Sequence, residues 1–235
     1  MPVEAGLRAV TWNVHSCIGT DRRFDPDRVG AVLRGFRADI AGLQEVGWFR
    51  RGRRGFDQFA HLAAGTGLHA VPGPTRDDGR SHYGNALLTS LPVREVRPLD
   101  LSVPLREPRA AIDADLDVGG RRLRVVVVHL GLDPWERAEQ VTRLLDRLGP
   151  DDGTPVLLMG DLNEWRVRSP RIRRLKERLP VEASAPSFPS RLPALRLDRA
   201  FACAPVRFRH VSAVRDAAAR TASDHLPLRM DVVLG

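Results

Sequence analysis

Cysteine is almost absent from this chain: Cys17 and Cys203 are the two in 235 residues. They lie too far apart in sequence for metal-type spacing and do not make a disulfide framework, so they read as buried or idle thiols. No apolar run approaches the roughly 20 residues that span a bilayer. The N-terminal residues show no basic stretch leading into an apolar one, so no signal peptide is expected and the cytoplasm is the expected compartment. Low-complexity segments and long linkers are also missing, which predicts one domain over residues 1–235. Lysine is scarce too, Lys176 being the only one.

What is present is a hydrophobic content of 43% with 28% charge, the balance of a soluble globular chain with a sizeable core. The net charge of +8 is carried almost wholly by arginine. Arginine forks bind phosphate bidentately, which suits an anionic partner. A GC-rich genome would give the same arginine count without functional cause.

The stretch around which the chain is organised is Pro155-Val-Leu-Leu-Met-Gly-Asp-Leu-Asn-Glu164. Its apolar residues predict a short buried strand, and Gly160 frees the backbone at its end. Asp161 and Asn163 then follow where the chain leaves the sheet, the place at which ligands collect in open sheets. A carboxylate and a carboxamide so placed suit one task, in which one orients a nucleophile and the other steadies an oxyanion. Gly-Asp after a strand is also ordinary turn chemistry.

Other segments end the same way. Residues 7–14 predict a strand running into Asn13-Val-His15. Asp25-Pro26 announces a helix with Val29, Val32, Leu33 and Phe36 on one face. Residues 39–46 predict a strand ending near Glu45, which completes a βαβ-like opening. Residues 50–55 form a basic loop, 56–64 an amphipathic helix and 72–82 an exposed loop. Two strands, 83–89 and 93–101, are expected to pair about Leu91-Pro92, and a hairpin is expected about Gly119-Gly120. The second hairpin strand delivers His129. A helix over 134–148 opens at Asp133-Pro134, and an arginine-rich helix is expected near 170–179. The proline-rich 185–195 is loop, followed by strands over 195–202, 206–214 and 226–234. Trp12 and Trp135 read as core and helix packing rather than as stacking platforms.

The polar residues at these segment ends are Asn13, Glu45, Asn85, His129, Asp161, Asn163, Asp198, Asp224 and His225. Glu45, with Asn13 and Asp224, offers the hard oxygen ligands Mg²⁺ prefers. Asp161 is the candidate to orient or deprotonate a water, and Asp198 beside His225 would fix the imidazole's tautomer and favour its cation.

Nine strings carry a resemblance: Thr-Trp-Asn-Val-His (11–15), Leu-Gln-Glu-Val (43–46), Tyr-Gly-Asn-Ala-Leu-Leu-Thr (83–89), Glu-Pro-Arg-Ala-Ala (107–111), Val-His-Leu-Gly-Leu (128–132), Gly-Asp-Leu-Asn (160–163), Ser-Phe-Pro-Ser (187–190), Leu-Asp-Arg-Ala-Phe (197–201) and Ser-Asp-His-Leu-Pro-Leu (223–228). In this order they resemble the endonuclease/exonuclease/phosphatase superfamily of DNase I-like and exonuclease III-like metal-dependent hydrolases, in a compact bacterial branch. The resemblance implies an α/β fold, a four-layer α-β-β-α sandwich of two mixed sheets packed face to face with helices outside. It implies phosphoester hydrolysis dependent on Mg²⁺ or Mn²⁺. Carried over by motif, Glu45, Asn13 and Asp224 hold the metal, Asp161 activates water, and Asn163 holds water or a non-bridging oxygen. His225, paired with Asp198, contacts the phosphate, with His129 and Asn85 on further oxygens. Arg109, Tyr83 and His15 complete the substrate-binding set. Two departures stand out: His15 occupies a position where base-excision relatives carry aspartate, and Ala110 one where many relatives carry glycine.

The expected function is phosphodiesterase or nuclease action on an anionic phosphoester, with DNA or RNA as candidates. Membrane lipid attacked by a phospholipid or sphingomyelinase-like phosphodiesterase is an alternative, as is a small-molecule phosphatase. A non-catalytic nucleic-acid-binding module would show erosion at one of these positions, and none is eroded. The sequence does not set an oligomeric partner.

Overall fold

The computed structural model describes residues 5–48, 53–77, 79, 82–166 and 168–235. In chain order the elements are β1 (Ala5–Asn13), a 3-10 turn (His15–Cys17), α1 (Pro26–Phe36), β2 (Ile40–Gly47), α2 (Gln58–Thr66), β3 (His69–Asp77), β4 (His82–Thr89), β5 (Val93–Asp100), β6 (Ala110–Val118), β7 (Arg121–His129), α3 (Pro134–Leu148), β8 (Val156–Asp161), α4 (Pro170–Arg178), β9 (Val181–Ser184), β10 (Asp198–Ala202), β11 (Val206–Ala213), α5 (Ala217–Ala222) and β12 (Leu228–Leu234). The helices begin as their sequences dictate. Asp25 accepts from the Arg28 N–H ahead of α1, Asp57 from the Ala60 N–H ahead of α2, and Asp133 from the Trp135 and Glu136 N–H groups ahead of α3. Pro26, Pro134 and Pro170 stand in first turns, where no N–H is needed.

The strands form two six-stranded sheets, ordered β11-β12-β1-β2-β4-β3 and β5-β6-β7-β8-β10-β9. Both are mixed: β1 runs parallel to β2, and β7 to β8, with antiparallel pairing elsewhere. Alternation along each strand sorts the core into three clusters. Leu7, Ala9, Ile40 and Leu87 of the first sheet meet Ile112, Val125, Val127, Leu157 and Met159 of the second. Val10, Trp12 and Leu43 face the other way, onto Val29, Leu33 and Phe36 of α1 and Leu62 of α2. Val126, Val128 and Leu158 pack on Val141 and Leu144 of α3 and Leu175 of α4. Helix, sheet, sheet and helix therefore stack as four layers, the α/β architecture expected. At the centre of the sandwich Gly42 allows close approach, since a Cβ there would stand 3.0 Å from both Met159 Cε and Val127 Cγ2.

Three local expectations are corrected. Residues 69–77, read largely as loop from 72 onward, form β3 at a sheet edge, where Pro72 and Pro74 are tolerated because one side of the strand needs no donors. The 83–89 and 93–101 segments do not pair with each other. β4 lies between β2 and β3, whereas β5 pairs with β6, so Leu91-Pro92 carries the chain from one sheet to the other. Trp135 is 66% exposed rather than packed. Of the basic loop, residues 50–52 lie outside the described residues; Arg54 rests over the Trp48 ring, 5.4 Å from its centroid.

Several arginines are spent inside the fold. On β6, Asp113 and Asp115 bind Arg97 of β5 at 3.1 and 2.8 Å, and Arg124 and Arg122 of β7 at 2.7 and 2.8 Å. Arg124 also donates to the carbonyls of Arg147 and Leu148, closing the C-terminal end of α3.

Candidate active site

The inner faces that meet in the core turn polar at one end of the sandwich. Along β7 the inward row runs Val125, Val127, His129, and along β8 it runs Leu157, Met159, Asp161. The parallel register sets His129 opposite Asp161, and the antiparallel register of β10 sets Asp198 opposite Asp161. From the facing sheet, Asn13 continues the row Leu7, Ala9, Thr11 of β1. Strand parity that buries apolar residues mid-strand therefore delivers polar ones to the same end.

Backbone irregularities complete the aim. Glu45 has φ 56° where the β2–β4 register shifts between Leu43 and Val46, so a bulge re-aims its side chain. Gly160, next to last in β8, has φ 156°, and a Cβ there would lie 1.9 Å from the Val128 carbonyl oxygen. Asn163 stands in the left-handed region at φ 49°, with its amide against His129 and the Leu130 carbonyl.

The resulting cleft, about 310 Å³, is lined by Asn13, Glu45, Tyr83, Arg109, His129, Asp161, Asn163 and His225 among others. His225 Nδ1 lies 2.9 Å from Asp198 Oδ2, and its Nε2 lies 3.7 Å from Asp161 Oδ2. Ser187 donates to the same Asp198 oxygen at 2.5 Å. Trp12 Nε1 donates to the His225 carbonyl at 2.9 Å, and the Phe188 ring stands 4.8 Å from the imidazole, centroid to centroid. Ser223 receives the His225 N–H and donates to the Asn13 carbonyl, tying the two strand ends together. On the other side, Asn13 Nδ2 donates to Glu45 Oε1 at 2.9 Å and to Asp161 Oδ2 at 3.1 Å, while its Oδ1 accepts the His15 N–H. The Tyr83 hydroxyl hydrogen-bonds Glu45, and Arg109 pairs with Glu107 at 2.9 Å.

Electrostatics separate the titratable groups. Burial works against the His225 cation, but the Asp198 and Asp161 carboxylates and the Asp198 hydrogen bond outweigh it and hold the pKa up to about 10. Burial raises Asp161 to about 6, against the opposing pull of His225. His129 is pushed well below its usual value by burial and by the charges of Arg109 and His225, so it is neutral. Its Nε2 stands 3.2 Å from Asn163 Nδ2, which also donates to the Leu130 carbonyl at 2.9 Å. A neutral ring accepting there carries its proton on Nδ1.

Four residues expected at the site stand apart from the cleft lining, Asp198 because it is fully buried against His225. Asn85 donates from Nδ2 to the Ala110 carbonyl at 2.7 Å, bridging the two sheets. His15 Nδ1 lies 3.0 Å from the Ile18 carbonyl oxygen, and Asp224 Oδ1 lies 3.7 Å from the same nitrogen. Conversely, Leu132, Trp165, Glu107 and Phe188 line the cleft without having been singled out. Trp165 follows directly on Gly-Asp-Leu-Asn-Glu, which is the sequence signal that could have found it.

A cleft so equipped serves the hydrolysis of phosphoester bonds. Over residues 10–225 the chain matches the Endonuclease/Exonuclease/phosphatase family, and it belongs to that family of hydrolases, which are typically metal-dependent. It is 32% identical to the uncharacterized protein YbhP of Escherichia coli strain K12, over 98% of both chains. Its fold is similar to that of an endonuclease/exonuclease/phosphatase from Beutenbergia cavernae, with a TM-score of 0.78, 23% identity, and coverage of 98% of this chain and 72% of the other. A mannosyl-6-phosphatase from Bacteroides thetaiotaomicron has the same fold at a TM-score of 0.73, 16% identity, and coverage of 97% and 100%.

Proposed function

We propose that the chain is a Mg²⁺- or Mn²⁺-dependent phosphodiesterase of nuclease type, cleaving P–O bonds by attack of water. The observation that carries this reading is the buried row Asp198–His225–Asp161, with Glu45 and Asn13 across the same cleft.

Asp161 is the general base. A pKa of about 6 leaves it ionised yet proton-accepting near neutrality, and the Asn13 and Asn163 donors fix its two oxygens. Asn163 has committed its amide nitrogen to Leu130 and His129, which leaves Oδ1 to accept from the attacking water. His129 in this reading steadies Asn163 rather than presenting a charge to the substrate. His225 is the cationic donor: with Nδ1–H given to Asp198, Nε2–H is the proton to offer a phosphoryl oxygen as charge builds on it. One such aligned donor contributes on the order of 3 kcal/mol of barrier lowering. Arg109, which lines the cleft, is a further candidate for phosphate oxygen.

Asp161, Asp198 and His225 lie close enough together to suggest a metal cluster. Each ring nitrogen of His225 is already turned to a carboxylate, however, and a cationic imidazole has no lone pair to give. The oxygen set at Glu45 and Asn13 suits a hard cation better: Glu45 presents a carboxylate to the cleft, and Asn13 bridges it to Asp161. A divalent cation at Glu45 would polarise the phosphoryl oxygen and ease deprotonation of water.

A second reading, lipid phosphodiester hydrolysis, is favoured by Leu132 and Trp165 at the cleft, exposed at 68% and 60%. The test common to both is hydrolysis of bis(p-nitrophenyl) phosphate against p-nitrophenyl phosphate, with Mg²⁺ or with EDTA. Diester cleavage that exceeds monoester cleavage and stops in EDTA is expected. Monoester preference, or turnover indifferent to EDTA, would contradict the proposal.

A further inference from the structure

Leu132 and Trp165 are walls of two hollows. Besides the cleft of Asp161 they bound a second one, about 330 Å³, completed by Pro134, Arg137, Glu164, Arg166 and Arg171. Three arginines line it, of which Arg137 and Arg171 pair with the Glu164 carboxylate, and Arg137 also lies in the field of Asp133. Glu164, buried, is held by Ser169 Oγ at 2.8 Å, Arg171 Nε at 2.6 Å and the Arg166 N–H at 3.1 Å, with Arg137 Nε at 3.6 Å. Arg137 is only 3% exposed; it donates to the Gly131 and Leu132 carbonyls, and its Nε has no hydrogen-bond partner among the described residues. The Arg166 side chain is exposed and makes no hydrogen bond or ion pair among the described residues. Positive charge is therefore in excess in a concave place that shares a wall with the catalytic cleft.

We propose that this hollow is a second anion subsite, which seats the phosphate next to the scissile one in a nucleic-acid strand while Trp165 stacks against the nucleoside between them. The inference rests on the nuclease reading above. Its physical basis is the pairing of an exposed indole with surplus guanidinium. Stacking and phosphate contact are the two terms by which single strands are held. An acyl chain would use the indole and Leu132 but leave Arg166 without a counter-charge. The anchoring of Glu164 matters as well: it fixes the backbone on either side of Trp165, so the ring is presented on a held loop and little ordering entropy is lost on stacking.

The experiment compares the thymidine dinucleotide TpT with pTpT and TpTp in Mg²⁺, for the wild-type chain and for Arg166→Gln. One terminally phosphorylated form should be cleaved with kcat/KM about tenfold or more above TpT, as one charge-assisted contact provides. In Arg166→Gln that ratio should fall severalfold toward unity; because it is taken within each protein, partial unfolding does not mimic the loss. Cleavage of all three dinucleotides at equal efficiency, or a preference undiminished in Arg166→Gln, would overturn the subsite alone. Turnover of bis(p-nitrophenyl) phosphate with no dinucleotide cleaved would overturn the nuclease reading, and the proposed ligand of the hollow with it.

Discussion

His225 Nδ1 and Asp198 Oδ2 stand 2.9 Å apart with both residues buried, and this contact decides which protonation state the imidazole holds. Removing the carboxylate charge while keeping the shape should therefore uncouple donor from charge. Asp198→Asn is expected to lower kcat on the order of 10³-fold with KM little changed. Steady-state kinetics with a diester substrate checks this, and an equal rise in KM with kcat intact would place Asp198 in binding instead.

The pH profile follows from the same row. Asp161 must be ionised to accept a proton, so activity should rise through about pH 6; His225 must be protonated to donate, so activity should fall toward about pH 10. The stability linkage of His225 has the same upper edge. Its folded pKa exceeds the ordinary histidine value, so its contribution is fully present below that value and lost as pH rises through about 10. A kcat/KM profile and denaturation midpoints from pH 5 to 11 measure both. A flat profile across this range would remove Asp161 and His225 from the chemistry.

Gly160→Ala tests the geometry that aims Asp161. The added Cβ would meet the Val128 carbonyl oxygen at 1.9 Å, and backbone cannot yield as a flexible side chain can. Loss of activity by at least about 100-fold is expected, since small misplacements are costly in a preorganised site. Stability should fall by about 1–3 kcal/mol as well. Denaturation and kinetics on one preparation separate the two effects.

The arginine-rich face over β6 makes a different demand. Asp113→Ala would leave Arg97 and Arg124 partly buried without their main counter-charge, costing about 3–5 kcal/mol. These arginines hold the Asp113 carboxyl below the ordinary carboxylate range despite burial, so its stabilisation is full above that range and is lost on acidification through the lower native value. Urea titrations at neutral and acid pH measure this. A wild-type-like midpoint in the variant would mean the network is only surface decoration.

Much of this was legible in the sequence because strand parity and caps are local. The Asp25-Pro26 and Asp133-Pro134 starts, the Gly119-Gly120 hairpin and the segment ends bearing Glu45, His129, Asp161 and His225 all follow from neighbours within a few residues. Long-range facts were not legible. β4 and β5 are adjacent in sequence and lie in different sheets, which no periodicity reveals. Proline in β3 reads as loop unless the strand is known to be an edge. The net charge suggested an anionic partner, yet Arg97, Arg122 and Arg124 serve an internal network, Arg137 and Arg171 pair with Glu164, and the exposed arginine beside the cleft is Arg166. Asp224 carried the family's motif but stands beside His15 rather than in the cleft lining.

The most direct measurement is nicking of supercoiled plasmid in Mg²⁺ by the wild-type chain, by Asp161→Asn and by His225→Ala, each with and without EDTA. Wild-type nicking that disappears in EDTA and in both variants is the result predicted. Nicking retained in either variant, or no nicking by a folded wild-type protein, would contradict the account of this cleft as a metal-dependent nuclease centre.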